Sequence, residues 1–139
     1  MQLSHQDICV LVVDDDDVIR FLHKKNIGSL KQFKPVLLEA SNGQQALQML
    51  QDLHGSSGRL PDLILLDINM PVLNGFEFME VFQKLEWSDK IQVVIVSSSE
   101  TSEDRERGFS LGVKQFFSKP ITMEELESAI VECAVKITS

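Results

Sequence analysis

Short apolar runs without alternation constrain this chain more than anything else in it. Four are clear: Ile8-Cys9-Val10-Leu11-Val12-Val13, Val36-Leu37-Leu38, Leu63-Ile64-Leu65-Leu66 and Val93-Val94-Ile95-Val96. Val113 with Phe116-Phe117 forms a weaker fifth. Runs of this length, with no polar residue at every second position, predict strands covered on both faces. Between them the apolar spacing changes to that of a helix. Val18, Ile19 and Leu22 follow the first run. Ala46, Leu47, Leu50 and Leu53 form one stripe; Phe78, Met79, Phe82 and Leu85 another; Met123, Leu126, Ile130, Cys133 and Ile137 a third. Capping-box signatures precede two of these helices, Ser41 with Gln44 and Thr122 with Glu125.

Strands that alternate with helices imply right-handed crossovers and a parallel sheet. Pro35 has no N–H for a ladder, so the second strand belongs at an edge. These features predict an α/β, doubly wound, flavodoxin-like fold: five parallel strands in the order 2-1-3-4-5, with five helices on both faces. In such sheets the site lies beyond the carboxyl ends of the strands, where the order reverses between strands 1 and 3.

Composition narrows the class of function. The chain has 139 residues, 43% of them hydrophobic, enough for one core. A net charge of −8 argues against direct nucleic-acid binding, which needs a basic face. No apolar run is long enough to cross a membrane, and Met1 to Asp7 has no secretory pattern. The expected location is the cytoplasm. Cys9 and Cys133 have no paired spacing and read as small buried hydrophobes. His5, His23 and His54 are scattered and read as surface or partly buried residues.

The strand ends carry the chemistry. The first run ends in Asp14-Asp15-Asp16-Asp17, the third in Asp67, the fourth in Ser97-Ser98-Ser99 and the fifth near Lys119-Pro120. Taken singly, each has a structural explanation: Asp16 or Asp17 as a helix N-cap, Asp67 as a turn cap, the serines as a loop, Lys119 as a surface lysine. Taken together and in this order, they place acids, a hydroxyl and an ammonium above one sheet. Crowded carboxylates raise their own pKa values or recruit a cation, and oxygen donors favour a hard ion such as Mg²⁺ or Ca²⁺. A metal, a carboxylate nucleophile, a hydroxyl and a lysine together suit phosphoryl transfer.

Three segments carry a family resemblance: Leu11-Val12-Val13-Asp14-Asp15, Leu65-Leu66-Asp67-Ile68-Asn69-Met70-Pro71 with Gly75, and Phe117-Ser118-Lys119-Pro120. From about Ile8 to Ile137 the chain resembles the receiver domain of bacterial two-component response regulators, of the stand-alone chemotaxis-regulator type. The resemblance implies that Asp67 is the phosphoacceptor. It implies that Asp15, Asp67 and the backbone carbonyl of Asn69 bind Mg²⁺ (Mn²⁺ as a substitute), with Asp14 helping through water. Ser97 would contact the phosphoryl group and Lys119 would pair with its oxygens, next to a cis Lys-Pro bond. Phe116 would be the switch aromatic that follows Ser97, and Asn69 and Ser99 would tune the phosphoryl lifetime. The implied donor is a phosphohistidine on a sensor histidine kinase or a histidine phosphotransfer protein. The implied output is contact with another protein, as a monomer or a phosphorylation-dependent dimer. The expectation is one receiver unit over residues 1–139, core about 8–137, with no output domain and slow self-catalysed dephosphorylation.

Departures from the family pattern are also visible. Phe116 lacks the hydroxyl of the commoner tyrosine, and residues 52–61 are long for a connection. The segment from Glu100 to Gly112 has Phe109 and Leu111 as its large apolar residues, which predicts a weakly anchored, mobile fourth helix. Phosphorylation is expected to draw Ser97 towards Asp67 and let Phe116 move in behind. A haloacid-dehalogenase-type phosphatase is the enzymatic rival, but Asn69 stands where that family needs an acid. A receiver-like module that is never phosphorylated is the other rival, and no site position is missing to support it.

Overall fold

A computed structural model describes residues 6–99 and 101–138; the expectations that involve His5 and Glu100 lie outside these. The elements alternate as β1 (Gln6–Val13), α1 (Asp17–Gly28), β2 (Phe33–Ala40), α2 (Gly43–Gly55), β3 (Leu63–Leu66), α3 (Gly75–Phe82), β4 (Gln92–Ser97), α4 (Ser102–Ser110), β5 (Gln115–Ser118) and α5 (Met123–Thr138). All strand pairs are parallel and the order is β2-β1-β3-β4-β5. The five apolar runs are therefore the five strands. Pro35 lies on the edge strand, opposite Ile8. As an edge, β2 is less covered than its apolar run predicted, and Val36 is exposed.

Strand side chains alternate between faces, so the sheet feeds two cores. On one face Leu11, Val13, Ile64, Leu66 and Ile95 pack with Ala46, Leu50, Phe76, Phe78, Met79 and Phe82 of α2 and α3. On the other, Ile8, Val10, Val12, Leu65 and Val94 pack with Ile27 of α1 and Leu126, Ala129, Ile130 and Cys133 of α5. Full burial of one such side chain is worth about 1.5–3 kcal/mol. The central strands β1, β3 and β4 are thus gripped from both sides, and the residues just beyond them inherit a rigid platform.

Helix starts show where periodicity misleads. Thr122 and Glu125 form the expected reciprocal capping box. At α2 the box is shifted by one residue: Asn42 is the N-cap and accepts from the Gln45 N–H at 2.8 Å, while the Gln45 side chain accepts from the Ser41 N–H. Asn74 and Glu77 form a further capping box at α3. The ends of the α5 stripe, Met123 and Ile137, are exposed, and Ala129 and Ala134 take the buried positions between the larger residues. In α1 the stripe faces outward. Val18 is 63% exposed and Leu22 is 42%, with Phe21 at 61%, while His23 and Ile27 face the sheet.

The 52–61 connection is shorter than the sequence suggested, because α2 continues to Gly55. His54 at its end stacks on Trp87, with ring centroids 4.6 Å apart. Both cysteines are buried and free. Burial pushes the Cys133 thiol up to about 12, which makes it inert at neutral pH. Among the described residues no helix is long and apolar enough to cross a membrane.

Candidate functional site

Sheet register brings the acids together. Val13 of β1 is the strand partner of Leu66 of β3. The next residue on each strand, Asp14 and Asp67, therefore emerges side by side at the carboxyl edge. The Asp67 N–H continues the ladder to the Val13 carbonyl at 2.9 Å. Asp14 and Asp67 are 2% and 4% exposed, whereas Asp15 faces solvent. One carboxylate oxygen from each of the three lies within 4.8 Å of the others. Asp16, by contrast, is the N-cap of α1 and accepts from the N–H groups of Val18 and Ile19. Asp17 pairs with Arg20 on the same helix. The four-acid run thus divides by function: two residues for the cluster, then two for the helix start.

β5 delivers the counter-charge. Its Ser118 is the strand partner of Ser97 on β4, and the Lys119 N–H donates to the Ser97 carbonyl at 2.8 Å. The Lys119–Pro120 peptide bond is cis. Lys119 Nζ reaches across to Asp14 Oδ2 at 2.8 Å and Asp67 Oδ1 at 3.3 Å. Burial works against its ammonium, but the bond to Asp14 and the charges of Asp67 and Asp14 outweigh this and raise its pKa. Asp67 moves in an unusual direction for a carboxylate beside a lysine. Burial and the charge of Asp14 push it up to about 6, against the opposing pull of Lys119. One ammonium does not neutralise three carboxylates, and the excess negative charge is that of a site suited to a further cation.

Close backbone approach fixes Asp67 from below. The Gly75 N–H donates to the Ile68 carbonyl at 2.9 Å. A Cβ on Gly75 would sit 2.4 Å from the Asp67 carbonyl oxygen and 2.9 Å from Ile68 Cα, so only glycine fits there. Asn69 lies exposed, two residues beyond Asp67.

The hydroxyl side is equally ordered. Ser97 is fully buried at the end of β4, and its Oγ accepts from the Ser99 N–H at 3.1 Å. The Ser99 hydroxyl in turn donates to Asp104 on α4. Phe116 is 5% exposed, so the aromatic expected to move in on phosphorylation already stands inside the fold.

Two features of the site escaped sequence reasoning. His23, read from the sequence as surface or partly buried, is buried against it, and its Nδ1 has no hydrogen-bond partner. Burial lowers its pKa, as does Lys119, while Asp14 opposes them. The second is a small cavity of about 80 Å³ beside Lys119, walled by Ile19, Leu22, His23, Asn26, Pro120 and Ile121. No local pattern in the sequence marks either, because both follow from the rotation of α1 about its axis, which turns Val18 and Leu22 outward and His23 towards the sheet.

Comparison with known proteins places these features in a wider set. The model of the response regulator receiver domain family matches residues 10–131. Over 134 residues the chain is 33% identical to the sensor histidine kinase CheAY of Helicobacter pylori, covering 96% of this chain and 16% of that protein. It is 34% identical over 133 residues to the nitrate/nitrite response regulator protein NarL of Escherichia coli K12, covering 95% of this chain and 57% of the relative. The chain therefore spans only part of these curated relatives. Among solved structures, a two-component response regulator from Cytophaga hutchinsonii superposes with a TM-score of 0.82 at 29% identity, covering 93% of this chain and 97% of the other.

Proposed function

Because the chain belongs to the response regulator receiver domain family, we propose that Asp67 is its phosphoacceptor and that the cluster around it catalyses the transfer. The chain is a two-component receiver domain of five parallel strands and five helices. The observation that carries the proposal is the convergence of Asp14, Asp15, Asp67 and Lys119 at one end of the sheet.

The donor set fits Mg²⁺, or Mn²⁺ in its place. Its side-chain donors are all carboxylate oxygens, their spacing allows them to share one small ion, and their surplus charge favours a cation. Asp15 and Asp67 would hold the ion, together with the Asn69 carbonyl, and Asp14 would act through water. When bound, it supplies positive charge to the oxygens of the incoming phosphoryl group.

The residues of the chain then do the remaining work. Asp67, ionised above its raised pKa, offers a carboxylate oxygen to the phosphorus of a phosphohistidine. The P–N bond breaks as the new P–O bond forms, and the imidazole leaves with the electron pair. Lys119 turns from Asp67 to the phosphoryl oxygens and offsets their charge. The Ser97 hydroxyl donates to one of those oxygens. Asn69, exposed two residues beyond Asp67, and Ser99, bonded to Ser97, are the residues assigned to tuning how slowly the acyl phosphate hydrolyses. The protein is thus a signalling phosphoacceptor with self-assisted transfer rather than a turnover enzyme.

The partner that presents the phosphohistidine is a sensor histidine kinase or a histidine phosphotransfer protein. The outward apolar residues Val18, Phe21 and Leu22, with the cavity beside Lys119, form an apolar rim next to the site that suits a helical partner. A cytoplasmic location accords with such a partner. A receiver core over about residues 8–137 accords with the span of the family match, 10–131.

Intact-mass measurement with acetyl phosphate and Mg²⁺ tests the reading. Wild type should gain one phosphoryl group in a Mg²⁺-dependent way, and Asp67→Asn should gain none. A gain that survives Asp67→Asn would refute the assignment.

A further inference from the structure

α4 is not held in place by apolar burial. Gly108 is its buried residue, and Phe109 is 45% exposed. Charged residues hold it instead: Arg107 lies 4.4 Å from the centre of the Phe76 ring, and two consecutive residues of the first half, Asp104 and Arg105, make the contacts that lead to Ser97 and Phe116. Asp104 accepts from the Ser99 hydroxyl, and the Ser99 N–H donates to Ser97 Oγ at 3.1 Å. Arg105 donates from Nη1 to the Phe116 carbonyl at 3.2 Å, and its guanidinium lies 5.1 Å from the centre of the Phe116 ring. That ring packs beside Gly108, where Ile95 and Val113 also close in. A Cβ there would come to 3.1 Å from Ile95 Cδ1 and 3.4 Å from Phe116 Cδ2. Phe116 is the strand partner of Ile95, and Ser97 is two residues beyond Ile95. Ser97 and Phe116 are therefore diagonal neighbours on one face of the sheet.

We propose that Asp104 and Arg105 are positioning residues that set the Ser97 hydroxyl and the Phe116 ring as one unit before the phosphoryl group arrives. This rests on Asp67 being the phosphoacceptor. A serine hydroxyl has one proton and two lone pairs. Because Ser97 Oγ accepts from the Ser99 N–H, its own proton is left to donate to a phosphoryl oxygen. Asp104 keeps Ser99 in the position that makes this so. Arg105 covers Phe116, which has no hydroxyl to draw its tip to water, and retains the ring by cation–π attraction and a bond to its carbonyl. Adjacency on one helical turn couples the two contacts: displacing either displaces the helix that makes the other. The site is then largely preorganised, and part of the cost of binding a phosphoryl group is met by folding.

Beryllofluoride, a phosphoryl mimic, with Mg²⁺ and the full chain carrying 4-fluorophenylalanine at position 116, provides the test. Wild type should bind saturably and show a single fluorine resonance. Asp104→Ala and Arg105→Met should each raise the dissociation constant for beryllofluoride by about fivefold or more, because the competent arrangement becomes a minor one. Arg105→Met should add a second fluorine resonance that saturating beryllofluoride removes. The double variant should bind no more weakly than the worse single one. Arg105→Lys, which keeps a cation over the ring, should recover part of the loss and guards against misreading a folding defect. Wild-type affinity and one resonance in both single variants would overturn this inference alone, as would fully additive effects. Failure of wild type to bind beryllofluoride would overturn the phosphoacceptor reading, and this inference with it.

Discussion

Lys119 donates from Nζ to Asp14 at 2.8 Å, a closer contact than its 3.3 Å approach to Asp67. Its main partner is thus the neighbour of the proposed phosphoacceptor. Asp14 anchors the ammonium where a phosphoryl group on Asp67 would need it. Both acids are buried, so the lysine's removal leaves two uncompensated charges in a poorly solvated place.

Lys119→Ala is therefore expected to separate metal binding from transfer. Without a competing ammonium, the carboxylates should bind Mg²⁺ at least as tightly as in wild type, read by titration calorimetry. Phosphorylation by acetyl phosphate should fall by about tenfold or more, because the phosphoryl oxygens lose their fixed cation. Loss of both together would show that the lysine is needed to assemble the site.

The raised Asp67 pKa gives Mg²⁺ binding a pH dependence. Protonated Asp67 cannot act as a ligand, so affinity should be level above about pH 6.5 and fall about tenfold per pH unit below about 6. A titration that stays flat down to pH 5 would contradict the electrostatic picture of the cluster.

The same shift has a sign for stability. Asp67 is harder to ionise in the folded chain, at about 6, than its ordinary value of 3.8. The fold therefore binds more protons than the unfolded chain between those values, and stability falls as pH rises through that window. Above it, the penalty reaches about 3 kcal/mol. Asp67→Asn should raise metal-free stability by up to that amount at pH 8 and by almost nothing at pH 3.5. Urea unfolding at the two pH values measures the difference.

Gly75→Ala tests how Asp67, the proposed phosphoacceptor, is seated. The new methyl group would meet backbone, not a flexible side chain, at 2.4 Å from the Asp67 carbonyl oxygen. A loss of about 2 kcal/mol or more is expected, with slower phosphorylation, since the loop can relieve the clash only by moving Asp67. Thermal unfolding and the acetyl phosphate assay check the two parts.

Phe21→Ser addresses the partner. Phe21 is 61% exposed on α1. Acetyl phosphate should label this variant at the wild-type rate, whereas transfer from a phosphohistidine protein should drop by about tenfold, as for an apolar anchor in an interface. Equal losses with both donors would place Phe21 in the fold rather than at a docking face.

Much of the molecule could be read along the chain, because the decisive properties were local or periodic. Uninterrupted apolar runs marked the strands. Pro35 marked the edge. Parallel alternation fixed which strand ends meet, and so put Asp14, Asp15, Asp67 and Lys119 at one end of the sheet. Other properties depend on distance through space and had no local signature. The rotation of α1 puts Val18, Phe21 and Leu22 outside and His23 inside, against the stripe, because the sheet accepts only the side chains that fit between its own. The α2 cap moved from Ser41 to Asn42 because a cap depends on backbone dihedrals and not on a spacing of three. The raised pKa of Asp67 comes from the solvent that its neighbours exclude. The hold of Asp104 and Arg105 on Ser99 and Phe116 joins residues on separate elements by charge and ring geometry, which a pattern of apolar letters does not record. Order along the chain determined which groups could meet; packing decided how far each was stripped of water, which way it faced and what it touched.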